Sequence, residues 1–147
     1  MAAKLNTFYG DGNVKTAYSY RPDIGETVAR IIVDDRTLNR YVFIWGGEVS
    51  LDDVRALGES ILGKKLEHPS VSKEELEAIC KNPEDPSLIL HQYMYSCWVR
   101  GDNTVANAKR PEYGNALDSR ELYPDYKMRS LKSLMEEFAA ELKAKPE

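Results

Sequence analysis

Asp23-Ile24-Gly25-Glu26-Thr27-Val28-Ala29-Arg30-Ile31-Ile32-Val33-Asp34-Asp35-Arg36-Thr37-Leu38-Asn39-Arg40-Tyr41-Val42-Phe43 decides the reading of this chain. Ile24, Val28, Ile31 and Ile32 recur at helical spacing and predict one buried stripe. Asp23 is the expected N-cap, its carboxylate accepting from backbone N–H groups that lack helical partners. The stripe stops at Asp34-Asp35. Tyr41-Val42-Phe43-Ile44-Trp45 is then apolar at every position, which suits a strand covered on both faces. A helix running through a tight connector into such a strand belongs to an α/β fold with a parallel sheet. Yet this is the one confident buried strand, and its neighbours are expected to lie outside the chain.

Upstream, Thr7-Phe8-Tyr9 and Val14-Lys15-Thr16-Ala17-Tyr18 flank Gly10-Asp11-Gly12-Asn13, which predicts a β-hairpin. Downstream, Ser50 with Asp53 reads as a capping box, followed by the stripe Leu51, Val54, Leu57, Ile61 and Leu62 and a stop at Gly63. Residues 65–71 predict a short edge strand interrupted by Pro69. Ser72 with Glu75 is a second capping box and opens a helix ending near Lys81. Asn82-Pro83-Glu84-Asp85-Pro86 is a break. Residues 87–99 predict an aromatic-rich helix, residues 101–115 a loop, residues 117–123 one helical turn closed by Pro124, and Met128 a brief strand. Ser130 caps a last helix with Leu131, Leu134, Met135, Phe138 and Leu142 inward. The expected total is one or two core strands, small further strands and about five helices, in one unit spanning residues 1–147.

The chain has 147 residues, 42% of them apolar and 30% charged, with a net charge of −4. That length suits one domain. The charge gives no electrostatic reason to expect nucleic acid as a partner. No apolar run approaches the roughly 18 residues of a membrane span, and the N-terminus has no apolar signal core. The default expectation is therefore the cytoplasm. Cys80 and Cys97 read as small buried hydrophobes.

Chemistry is sparse. Gly10-Asp11-Gly12 lacks the third glycine of a dinucleotide loop and sits between strands. Gly46-Gly47 follows a strand, but Glu48 would set a carboxylate beside a phosphate. His68 and His91 have no zinc spacing, so no metal ligands are expected. No nucleophile elbow is present. Residues four apart share a helix face, so His91 and Tyr95 place two polar tips together. With Trp98 they are the candidates for a substrate-pocket wall, while core filling is the plainer alternative.

The pattern Gly10-Asp11-Gly12-Asn13, Asp23-Ile24-Gly25, Arg36-Thr37-Leu38-Asn39, Ser50-Leu51, Val71-Ser72-Lys73-Glu74-Glu75, Arg100-Gly101-Asp102 and Glu121-Leu122-Tyr123-Pro124-Asp125-Tyr126-Lys127 resembles the NmrA-like, isoflavone-reductase-like family of atypical short-chain dehydrogenases. Where members usually have proline before Arg36, this chain has Asp35. The resemblance implies the C-terminal, substrate-side portion of a Rossmann-type fold. The family's NADP loop and catalytic lysine belong to an N-terminal half that is expected to be missing, so no catalytic or cofactor residue carries over. What it implies is part of an NADP-dependent oxidoreductase for a small aromatic or conjugated substrate, inactive and cofactor-free alone. The alternative is a non-enzymatic binding or regulatory module. The exposed strand edge also predicts self-association.

Overall fold

The computed structural model describes residues 7–144. In chain order the elements are β1 (Phe8–Tyr9), β2 (Thr16–Tyr18), α1 (Arg21–Ile31), a 3-10 turn (Asp35–Thr37), β3 (Val42–Phe43), β4 (Gly47–Val49), α2 (Leu51–Leu62), β5 (Ser70–Val71), α3 (Lys73–Cys80) and α4 (Leu88–Tyr95). A π turn (Ser96–Arg100) continues α4, and α5 (Val105–Ala108), a 3-10 turn (Pro111–Tyr113), β6 (Leu117–Asp118), α6 (Ser119–Leu122) and α7 (Leu131–Ala144) follow. The result is the expected α/β class. Five of the described helices, α1 to α4 and α7, have eight residues or more. The chain divides into two compact units, one of residues 7–16 with 49–103 and one of residues 17–48 with 104–144.

In the first unit, β1 pairs in parallel with β5, Phe8 opposite Ser70 and Tyr9 opposite Val71. The expected hairpin is thus not formed: the Gly10–Asn13 turn is present, with positive φ at Gly10 and Gly12, but β1 bonds to a strand far along the chain. Both capping boxes are formed. The Asp53 N–H donates to Ser50 Oγ at 3.1 Å and the Ser50 N–H to the Asp53 carboxylate at 2.9 Å. Ser72 and Glu75 repeat the exchange at 2.8 and 3.2 Å. Lys15 and the Ser50 backbone N–H together hold the Asp53 carboxyl down at about 2. Gly63 ends α2 with φ of +67°, a conformation open to glycine because it has no Cβ. Tyr9, Leu76 and Cys97 are the unit's buried apolar side chains.

In the second unit, β3 pairs in parallel with β6, Val42 opposite Leu117 and Phe43 opposite Asp118. One neighbour of the apolar strand is therefore within the chain, contrary to the expectation. The strand is also shorter than the apolar run, and Tyr41 is exposed. Tyr18 ends β2, and its carbonyl accepts from the Gly46 N–H at 2.7 Å.

Helix α1 departs furthest from its sequence reading. Its N-cap is Tyr20, with no side-chain cap, and Pro22 occupies the first turn, where a missing N–H is tolerated. Asp23 lies inside the helix and is buried. It accepts from Tyr126 Oη and from the Arg129 backbone N–H, both at 2.8 Å. Thr27, four residues on, is also buried, its hydroxyl donating to the Asp23 carbonyl at 2.7 Å. The inward face is this polar seam, whose burial is tolerated because the carboxylate has two donors and the Thr27 hydroxyl a carbonyl acceptor. The stripe is split: Ile24 and Ile31 are half-buried, while its other half turns outward. Val28 is 42% exposed, Ile32 75% and the following Val33 80%. Met128 forms no strand, and Phe138 and Leu142 of α7, expected inward, are exposed.

Candidate functional site

Helix α4 and the π turn that continues it carry the three sequence-derived candidates. It starts after Pro86, where the Asp85 carboxylate accepts from the Ser87 N–H at 2.7 Å and closes the preceding turn. His91 is buried, with Nδ1 3.6 Å from the same Asp85 oxygen, too far for a hydrogen bond. Nδ1 has no hydrogen-bond partner among the described residues. Tyr95 donates through its hydroxyl to Glu77 of α3 at 2.7 Å. That bond, reinforced by burial and by the Glu77 charge, pushes the Tyr95 phenol up. The guanidinium of Arg100 lies 5.7 Å from the Tyr95 ring centroid.

Trp98 falls within the π turn and is half-buried. A π turn makes i→i+5 bonds and widens the helix, so the straight helical spacing from His91 to Trp98 is broken. The turn closes at Gly101, φ +68°, whose missing Cβ would meet Val14 at 3.2 Å. Arg100 pairs with Asp102, which also accepts from Ser96 Oγ at 2.8 Å. The carboxylate thus occupies the cation that could have activated a nearby thiol. Cys97 is buried, and burial pushes the Cys80 thiol up.

A concavity of this unit lies on another face of α4. An open groove of about 900 Å³ is lined by Pro83, Pro86, Leu88, Ile89, Leu90 and Tyr93, with Asp85 and Ser87 at its polar end. Ile89 is 84% exposed and Tyr93 61%. His91, Tyr95 and Trp98 are not among its lining residues. Leu88, Ile89 and Leu90 carry no sequence signal for a site, because apolar side chains at the start of a helix read as core, whereas Tyr93 belongs to the aromatic run that can line a pocket. Their exposure depends on the Pro83–Pro86 turn, which leaves that end of α4 uncovered.

Gly46-Gly47 is occupied by protein. The Tyr18 ring lies where added Cβ atoms would stand, at 3.0 Å from Gly46 and 2.8 Å from Gly47. Glu48 accepts from the Val105 N–H at 2.7 Å. Among the described residues no group of three His, Cys, Asp or Glu could hold a metal, and no helix is long and apolar enough to cross a membrane.

No family model matches the chain. A phenylcoumaran benzylic ether reductase from Betula pendula is 30% identical over 132 residues, covering 88% of this chain and 42% of the relative. The fold is similar to that of an isoflavone reductase, with a TM-score of 0.73 and 28% identity over 90% of this chain and 42% of that one. It is also similar to a leucoanthocyanidin reductase from Vitis vinifera in complex with NADPH, with a TM-score of 0.77 and 22% identity over 92% of this chain and 47% of the other. The chain thus spans less than half the length of the proteins it matches. In sequence and in fold the chain is thus similar to the C-terminal part of isoflavone-reductase-like proteins.

Proposed function

We propose that the chain is the substrate-side part of an NADPH-dependent reductase acting on a small aromatic or conjugated molecule, and that alone it neither binds the cofactor nor reduces anything. The observation that carries this reading is the match in sequence and fold along 88–92% of the chain to reductases of which it spans less than half. Hydride transfer needs the nicotinamide held against the substrate. Among the described residues no glycine-rich loop stands at a strand-to-helix turn for its phosphates. Helix α4 is the proposed wall of the substrate site, with His91, Tyr95 and Trp98 as the candidate contacts, and the apolar groove beside Ile89 and Tyr93 gives an aromatic molecule a surface to lie on.

The outward stripe of α1 supports the same reading. Val28, Ile32 and Val33 form an exposed apolar patch at the end of α1, and in the proposed parent it is covered by the part of the longer relatives that this chain does not span. The exposed side chains also favour a second reading, a docking module without turnover. NADPH fluorescence titration of the purified chain tests the proposal: no saturable change is expected, and micromolar binding would overturn it. Activity of a polypeptide that joins this chain to a nucleotide-binding half, against inactivity of that joined form, separates the reductase reading from the docking module.

A further inference from the structure

The second unit holds a pocket that the reductase reading does not use. It measures about 330 Å³ and is lined by Gly46, Arg120, Glu121, Pro124, Tyr126, Lys127 and Met128. Arg120 is fixed in place. Its guanidinium lies 4.5 Å from the Trp45 ring centroid. Trp45 is in turn pinned by its indole N–H, which donates to Asp118 at 2.9 Å. A stacked guanidinium keeps its planar fork of donors free for another partner.

The neighbouring carboxylates are already taken. One oxygen of buried Asp118 accepts from Trp45 and from the Arg120 backbone N–H, and the other lies 3.3 Å from Lys109 Nζ. Glu121 accepts from Lys109 at 2.7 Å. Six arginines, Arg30, Arg36, Arg55, Arg100, Arg110 and Arg129, pair with a carboxylate. Among the described residues no ion pair engages Arg120. Lys127, on the same pocket, donates to the Pro124 carbonyl at 3.0 Å. Two cations thus face one small concavity, one of them immobilised and without a counter-charge.

We propose that this pocket binds an oxyanion, the phosphate or carboxylate of a small ligand, through the guanidinium of Arg120 with Lys127 as the second cation. The planar fork matches a carboxylate or phosphate edge with two parallel hydrogen bonds. Trp45 forms one wall of the support, and Tyr126 and Met128 give the body of the ligand an apolar surface.

The probe is the Trp45 indole N–H resonance of the chain, distinguished from that of Trp98 with a Trp98→Phe variant. The chain is titrated with inorganic phosphate and, separately, with acetate, at ionic strength held constant with chloride. A saturable shift of the Trp45 signal by phosphate alone assigns a phosphorylated ligand, and a shift by acetate as well assigns a carboxylate one. Arg120→Gln is expected to weaken the response about tenfold or more, the worth of one charged hydrogen-bonding group. Arg120→Lys, which keeps charge but not the planar fork, should fall between. Persistence of the Trp45–Asp118 indole signal in both variants reports that the fold is intact. No saturable shift with either anion, or a response unchanged in Arg120→Gln, overturns the proposal.

Discussion

Replacing Asp23 tests the largest departure between the α1 sequence and its structure. The carboxylate is 4% exposed and takes two donors, Tyr126 Oη and the Arg129 N–H, each at 2.8 Å. Hydrogen bonds to a charged group contribute about 1.5–3 kcal/mol each. Tyr126 and Arg129 are only half-buried, so water recovers part of the loss in Asp23→Ala. The expected destabilisation is roughly 3 kcal/mol, or a fall in melting temperature of about 6–12 °C for a chain of this size. Asp23→Asn keeps one acceptor and should lose about half of that. Each unit contains one tryptophan, so Trp45 fluorescence in a Trp98→Phe background follows the unit that carries Asp23. A second readout is independent of melting. Burial, and then the hydrogen bond to Asp23, push the Tyr126 phenol from 10.0 up to about 12. Because the folded value lies above the unfolded one, this contribution is whole below pH 10 and lost as pH rises toward 12. In Asp23→Asn the phenol should titrate closer to its ordinary value, measured by ultraviolet difference against Tyr126→Phe. A destabilisation of Asp23→Ala below about 0.5 kcal/mol, the level of an ordinary surface change, would refute the polar seam as the anchor of α1.

Ser72→Ala should destabilise the first unit by about 1 kcal/mol through loss of the capping box, read by urea denaturation. Gly63→Ala should cost roughly 1 kcal/mol from backbone strain alone, since a Cβ there meets nothing within 4 Å; a neutral result would contradict the left-handed cap. Asp53 has a depressed folded-state value, so its contribution is present above pH 3.8 and fades as pH falls toward 2; Asp53→Asn should flatten that part of an acid titration followed by circular dichroism. Ile32→Lys with Val33→Glu, both on exposed positions, should leave stability within about 0.5 kcal/mol of the unaltered chain, and a clear fall in melting temperature on thermal denaturation would count against their exposure.

The local parts of this fold were legible because their partners lie close in sequence. The Ser50 and Ser72 boxes close over three residues, and the Gly63 stop needs nothing beyond its own φ. What failed depended on distant partners. β1 reads as one arm of a hairpin, yet its partner is residues 70–71. Asp23 reads as a cap, yet it is held by Tyr126 and Arg129. Periodicity finds an apolar stripe correctly but does not say what covers it, so Ile32 reads as buried. At the candidate site, α4 was legible as a helix from its run of aromatic and bulky side chains. Its solvent-facing surface was not, because the bend at Pro83–Pro86 decides which side of α4 remains open. Arg120 carries no local motif at all. Its position follows from a stack on Trp45, far away in the chain.

The π turn at Ser96–Arg100 sets the angular phase of the end of α4. A wide turn holds one residue more than an α turn would, so every side chain after Tyr95 lags behind the rotation that regular winding would give. Removing a single residue from this turn would restore regular winding and swing Trp98 around the axis, while Gly101 would leave the position beside Val14 that spares it a Cβ clash. The extra residue therefore acts as a register pin, and the placement of Trp98 depends on residue count there as much as on residue identity.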